Sequence, residues 1–345
     1  MRWLQLLYLI SGLALLGYVL FETDLTEVWG YLDNLGWGIA VILVITLVDL
    51  FVDTAAWALS FPRSRLNRAW LLPLWRLRMV GDAFNNLTPL GGIGGEPLKA
   101  ALLKAHHGTP YREAIASVVL AKTTLMLALL VFLAGGLFFM LRLEAVPRSL
   151  ALGAGAGYGF FTVGVLLFFI FQRRRWFSRA VARIARPSAG GALATVLERL
   201  REIEDLIVDF YTRSRARFGA TLAVQLVNWL FGVVEVYYTI RFLGHPISIG
   251  DAWVIEAMVQ LVRAATFFVP ASIGAQEGGL VLVCAAVTGD PALGLAASAV
   301  RRAREIFWIL WGLALAWLYS LGRSSLGSHG TMPGGASAAG RADDS

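Results

Sequence analysis

The chain has 345 residues, of which 57% are hydrophobic and 15% charged; its mean hydropathy is +0.66 and its formal net charge +7. That balance lies outside the range of soluble globular domains and excludes a water-soluble enzyme of ordinary composition. The single cysteine, Cys284, excludes a disulfide framework and a thiolate metal centre.

Apolar runs near 3–21, 36–60, 114–140, 149–171, 218–240, 252–269, 271–288 and 303–321 are long enough for helices crossing about 30 Å of hydrocarbon. They predict an all-α polytopic membrane protein of about eight hydrophobic segments. The first run has one Arg, a long apolar stretch and no small-residue cleavage site, so it is expected to stay as an anchor. The loop 22–35 then carries Glu22, Asp24, Glu27 and Asp33 and no Lys or Arg. The next connection, 61–79, carries Arg63, Arg65, Arg68, Arg76 and Arg78 and no acid. Residues 173–217 hold 11 Arg against 5 acidic residues, a net +6 of the total +7.

By the positive-inside rule those two basic stretches are cytoplasmic, as are both termini, in a multi-pass protein of the bacterial inner membrane. The positive charge is thus a topology signal. No nucleic-acid module accompanies it, so no nucleic-acid partner is expected. Within the basic stretch, 173–186 predicts a short amphipathic helix lying on anionic headgroups, and 192–214 a second cytoplasmic helix. The domain is expected to occupy 1–322, followed by a disordered cytoplasmic tail over 323–345.

One stretch does not fit a plain bundle. "NNLTPLGGIGGEPLKA", residues 85–100, contains two Asn, two Pro, four Gly and a carboxylate amid apolar helices. Its flanks, 80–104, run between the basic residues Arg76/Arg78 and Lys104/Arg112, so a segment that starts and ends on one face must dip in and return. Non-helical backbone at membrane depth is tolerated only where it is buried in protein or lines a cavity. The prediction is a re-entrant hairpin whose tip carries Asn85, Asn86, Thr88 and Gly91–Gly95, with Glu96 just beyond it. Lys99 follows as a candidate anion contact, and Pro97 suits the first turn of the departing helix.

A second stretch, "VPASIGAQEGG" over 269–279, repeats the pattern. Glu96 lies seven residues after Pro89, and Glu277 seven residues after Pro270, with Ile-Gly between in both cases. Paired broken segments in corresponding halves of a chain point to a transporter site. The expectation is an inverted repeat with one or two re-entrant hairpins; charge counting does not decide whether 252–288 is a hairpin or two full spans.

Other intramembrane ionisable residues are Asp49 and Asp53, one turn apart, then Lys122, Glu235, Glu256, Arg263 and the cluster Arg301, Arg302, Arg304, Glu305. Such residues pair internally or line a polar pathway. Arg263 and Arg301 join Lys99 as candidate phosphate contacts.

"FNNLTPLGGIGGEPLKAALL" (84–103), "FFVPASIGAQEGG" (267–279) and "RRAREIFWILWGLALAW" (301–317) resemble a flippase-like membrane family, that of the transmembrane half of lysyl-phosphatidylglycerol synthase. The third run is most similar to members associated with hopanoid biosynthesis. The resemblance covers most of 1–322. It implies translocation of an amphipathic lipid, of phospholipid or isoprenoid type, through a cavity lined by re-entrant segments. The positions that match are Asn85, Asn86, Pro89, Gly94, Gly95, Glu96, Pro270, Gly274, Glu277 and Arg301. The bifunctional synthases add a large soluble domain for aminoacyl transfer, and no such activity is expected of this chain. Many relatives carry Arg where this chain has Lys99, which loses a bidentate phosphate contact there.

Three classes of function stay open on the residues. A lipid carrier accounts for polar loops at membrane depth, with a membrane lipid as substrate. An integral membrane enzyme would use Glu96 and Glu277 as acid and base, but no catalytic, metal-ligand or Walker-type constellation supports it, and no cofactor is expected. A scaffold for lipid-biosynthesis enzymes would use the loops only for packing. The carrier is the leading expectation.

Overall fold

The computed structural model describes residues 25–62, 68–87, 94–143, 146–184, 191–266, 269 and 272–327. The expected anchor 3–21, Thr88, Pro89, Pro270 and most of the expected tail lie outside these residues. The described residues form twelve α-helices and one short 3-10 turn, with no strand among them. The protein is therefore an all-α polytopic membrane protein.

In chain order the helices are α1 (Leu25–Leu35), α2 (Gly38–Leu59), α3 (Leu71–Leu87), α4 (Gly95–His107), α5 (Tyr111–Met140), α6 (Arg148–Arg173), α7 (Trp176–Ile184), α8 (Gly191–Arg213), α9 (Arg215–Phe242), α10 (Ile249–Ala265), α11 (Ala275–Thr288) and α12 (Pro291–Gly327). Helices α2, α5, α6 and α9, of 22, 30, 26 and 28 residues, are long and apolar enough to cross a membrane. The other four helices of the bundle's polar part are short. Helices α3, α4, α10 and α11 have 17, 13, 17 and 14 residues, about 20–26 Å at 1.5 Å per residue.

Two differences from the sequence reading follow. The basic connection 61–79 is not all loop, because α3 begins at Leu71 and carries Arg76 on an exposed face and Arg78 inside the bundle. Charge counting misplaced Arg78 because an arginine held by two carboxylates looks the same in sequence as one in a loop. Helix α12 also runs to Gly327, past the expected 322 boundary.

The apolar core gathers around α5. The Phe132 ring stacks between Trp229 and Trp253, at 5.8 and 5.6 Å between centroids. Both indole N–H groups donate to α5 carbonyls, Trp229 to Leu125 at 3.1 Å and Trp253 to Phe132 at 3.0 Å. Gly136 lets α10 approach so closely that a Cβ there would stand 2.3 Å from the Ala257 Cβ, a small-residue contact suited to helices in lipid. Helix α6 is the outlying span, with exposed Leu152, Phe160 and Val163 on its surface.

Helices α7 and α8 fall within the stretches expected to be helical. Leu206, Ile207 and Phe210 of α8 bury against Ala116 and Leu120 of α5. Glu204 of α8 caps α7, accepting from the backbone N–H of Phe177 at 3.0 Å and of Ser178 at 3.2 Å. Tyr211 donates to Gln172 at 2.9 Å, and burial pushes its hydroxyl pKa well above the ordinary phenol value.

Candidate functional site

The first hairpin is α3 and α4. Gly81 and Gly95 let the two helices touch: a Cβ on Gly95 would stand 1.9 Å from the Gly81 carbonyl oxygen. Asn85 closes the tip from inside, accepting the Gly95 N–H on Oδ1 at 2.7 Å and donating from Nδ2 to Glu96 at 3.0 Å. Asn86 donates to the Asp82 carbonyl of its own helix at 2.9 Å. At the other end, the rings of Trp70 and His107 lie 5.3 Å apart, so the segment leaves and returns on one side.

Charges fill the inside of this hairpin. Lys99, buried on α4, donates to Asp82 at 2.7 Å and to Glu96 at 3.2 Å. Lys122 of α5 reaches Glu96 at 3.1 Å. Arg78 holds Asp82 at 2.9 Å and pairs on its other side with Asp53 of α2. A cavity of about 40 Å³ lies among Asp53, Arg78, Asp82, Glu96, Lys99 and Lys122. That is room for about three water molecules.

The second hairpin is α10 and α11, and it is built on the same plan. Gly279 of α11 faces Val262 of α10, so the helices run antiparallel across the break at 266–274. Gly274 takes φ +81°, a conformation natural to glycine, and its N–H donates to Glu277 Oε2 at 2.7 Å. Glu277 also pairs with Arg302 of α12. Glu256 of α10 accepts from Gln260 at 2.6 Å and pairs with Arg301. Glu305 accepts from Arg302 at 2.8 Å and lies 3.9 Å from Arg263. Glu96 and Glu277 thus each sit in the first turn of the second helix of their hairpin, as the repeat predicts.

Two elements join the hairpins. Helix α12 packs Gly312 against α3, where a Cβ would stand 2.4 Å from the Met79 carbonyl and 2.8 Å from Ala83. About two turns earlier it presents Arg302 and Glu305 to the second hairpin, so one helix packs against both hairpins. Helices α2 and α9 form the other junction. Asp53 accepts from Gln225 at 2.8 Å, and Glu235 accepts from Thr46 at 3.4 Å and pairs with Arg304 of α12. Between them the side-chain amide of Asn228 meets Asp49, 2.8 Å from Oδ1 and 3.2 Å from the main-chain oxygen, and donates to both once oriented with its nitrogen toward them. The result is a polar seam running from Lys122 through α3, α2, α9 and α12 to Arg263.

A family model, described as the lysylphosphatidylglycerol synthase TM region, matches residues 3–312 of the chain. The chain belongs to that family. Lysylphosphatidylglycerol synthase TM-region relatives include a UPF0104 membrane protein of Methanothermobacter thermautotrophicus, 22% identical over 298 residues, covering 83% of this chain and 85% of the relative. A UPF0104 membrane protein of Pyrococcus horikoshii is 23% identical over 243 residues, covering 67% and 71%. No solved structure matches the chain.

In this family member the candidate residues separate into two groups. Asn85, Gly94, Gly95, Glu96 and Lys99 come together at the first tip; at the second, Gly274 and Glu277 adjoin, while Arg263 is tied to Glu305 and Arg301 to Glu256 farther along α10. Arg301 is buried against Glu256, whereas the side chains of Lys122 and Arg263 are 42% and 39% exposed. Arg78, Asp82, Gln225 and Asn228 were missed as site residues by sequence reasoning. The spacing of Arg78 and Asp82, i to i+4, was the signal that could have found that pair. For Gln225 and Asn228, one turn apart on an apolar helix, only the polar face they share with the α2 aspartates was available.

Proposed function

We propose that this protein binds an amphipathic lipid by its headgroup and carries it between leaflets, acting as a carrier and not as an enzyme. The observation that carries the reading is a pair of discontinuous helical hairpins that both pack against one helix, α12, with their polar groups turned into a continuous seam. Irregular backbone and charges at this depth are costly unless they serve a polar pathway or bind something polar.

The chemistry suits an anionic headgroup. Lys122 and Arg263, at the two ends of the seam, are its most open cations, and each is held by a single carboxylate. Arg301 Nη1 and Arg302 Nη2 are buried donors without a partner among the described residues. A phosphate oxygen would satisfy them. The cavity inside the first hairpin has room for water but not for a headgroup, so in this reading the conformation is the closed one and the hairpins part to admit substrate. We place 61–70 and 173–217 at the cytoplasmic face of a bacterial inner membrane, where the cationic α7 surface meets anionic headgroups. A hopanoid-type or other isoprenoid lipid and a phospholipid are the substrate classes in view.

The test is native mass spectrometry of lipids retained by the purified protein, followed by proteoliposome assays of lipid movement. The variants are Lys122→Gln and Arg263→Gln, chosen because neither side chain is buried in the structural ion pairs. Wild type is expected to retain one lipid class and move it, and the double variant to lose both properties while staying folded. Retention of the same bulk mixture by both proteins would overturn the reading.

A further inference from the structure

The seam's charges nearly cancel. Among the described residues seven carboxylates take part in its ion pairs: Asp53 and Asp82, with Glu96, Glu235, Glu256, Glu277 and Glu305. Seven cations answer them, Arg78, Lys99 and Lys122 in the first hairpin's part and Arg263, Arg301, Arg302 and Arg304 in the second's. Asp49 is the eighth carboxylate. It has no ion-pair partner among the described residues, and its one polar side-chain contact is the amide of Asn228.

Its position is singular. Asp49 is the twelfth of the 22 residues of α2, midway along a spanning helix. The charged groups near enough to act on it electrostatically are Asp53 from its own helix, Arg78 from α3, Glu235 from α9 and Arg304 from α12. Helix α5 meets α2 further along, where Trp57 donates to Ser117 at 3.3 Å. Asp49 therefore stands where the ion pairs of the first hairpin adjoin those of the second. Ionised, it leaves the seam with a net charge of −1, since seven cations face eight carboxylates. Protonated, it leaves the seam neutral, and an ionised carboxylate with no cation of its own is disfavoured at membrane depth.

We infer that Asp49 is a proton-binding site, loaded while the hairpins are closed and emptied when the seam opens. The amide of Asn228 serves both states. Its nitrogen donates to the carboxylate, and its oxygen, with the amide turned over, accepts the O–H of the acid. Opening frees Arg78 or Arg304 from its carboxylate partner, and either cation reaching Asp49 stabilises the ionised form. The O–H bond of Asp49 then breaks, the electron pair stays on the carboxylate and the proton passes to water. Reloading reverses the step. The inference rests on the carrier reading for the opening motion, and it supplies that motion with an energy source, a proton gradient.

The experiment is infrared difference spectroscopy of the full-length protein in lipid vesicles across a pH titration, beside lipid movement with and without an imposed pH gradient. Wild type at neutral pH is expected to show the C=O stretch of a protonated carboxylic acid, moved by deuterium exchange and absent from Asp49→Asn. Asn228→Leu should shift that band without removing it, which tests the assignment even if Asp49→Asn folds poorly. A wild type with no such band overturns the proposal, as does a band displaced by sodium at constant pH. Band present with lipid moving several-fold faster under the gradient supports it. Band present with no lipid movement at all leaves the proton site standing and refutes the carrier reading instead. Lipid movement indifferent to the gradient overturns the coupling while the carrier survives.

Discussion

The pair Arg301–Glu256 gives the sharpest test of how dry the seam is. Its side chains are only 6% and 3% exposed, and Glu256 is the one carboxylate that Arg301 holds. Glu256→Gln keeps the shape and the Gln260 contact but leaves the guanidinium as an unpaired buried charge. Removing one member of such a pair costs about 3–5 kcal/mol. Arg301→Met, which strands the carboxylate, should cost a similar amount. The double variant should cost far less than the sum, because it buries no lone charge. Arg112–Glu202, with side chains 45% and 43% exposed, is the control: Arg112→Ala should cost about 1 kcal/mol or less. Unfolding free energies measured in a bilayer by steric trapping give all four values. Equal, small losses for Glu256→Gln and Arg112→Ala would refute the argument, because they would mean that water already screens the seam as it does the surface.

The remaining predictions concern packing and capping. Gly95→Ala should destabilise by about 1–3 kcal/mol through overpacking against the Gly81 carbonyl, despite the better helix propensity of Ala. Gly219→Ala in α9, with nothing within 4 Å of the new Cβ, should be neutral or stabilising; a differential melt of the two purified variants checks both. Glu204→Gln should weaken the cap on α7 by about 1 kcal/mol and speed amide exchange over 176–184, read by hydrogen–deuterium exchange mass spectrometry. Tyr211→Phe removes the donor to Gln172 and should cost about 1 kcal/mol, seen in thermal unfolding, while leaving lipid retention unchanged.

The legible part of this molecule was its backbone. Glycine and proline clusters marked both hairpin breaks, and the Pro-to-Glu spacing put Glu96 and Glu277 in the right turns because capping is a local matter. The partners of charges were not legible, because they are tertiary. Arg301 looked like a phosphate contact and is held by Glu256, 45 positions away in sequence. Arg78 looked like a loop charge and lies between Asp53 and Asp82. Asp49 and Asp53 looked alike, one turn apart, yet one has an arginine and the other an amide. A difference of one helical turn in which neighbour lies opposite decides that, and no periodicity reports it.

Helix α12 has a consequence for how the protein is made. Its 37 residues span about 55 Å, and within one turn and a half it carries Arg301, Arg302 and Arg304. Each arginine at mid-bilayer adds about 2.5–3.5 kcal/mol to the cost of leaving the translocon. Alone, such a segment would be rejected. The carboxylates that neutralise it, Glu235, Glu256 and Glu277, all emerge earlier in synthesis, on α9, α10 and α11. Entry of α12 into the lipid is therefore a joint event with helices already waiting there, and substitutions of those three glutamates should lower the yield of inserted protein as well as the stability of what is inserted.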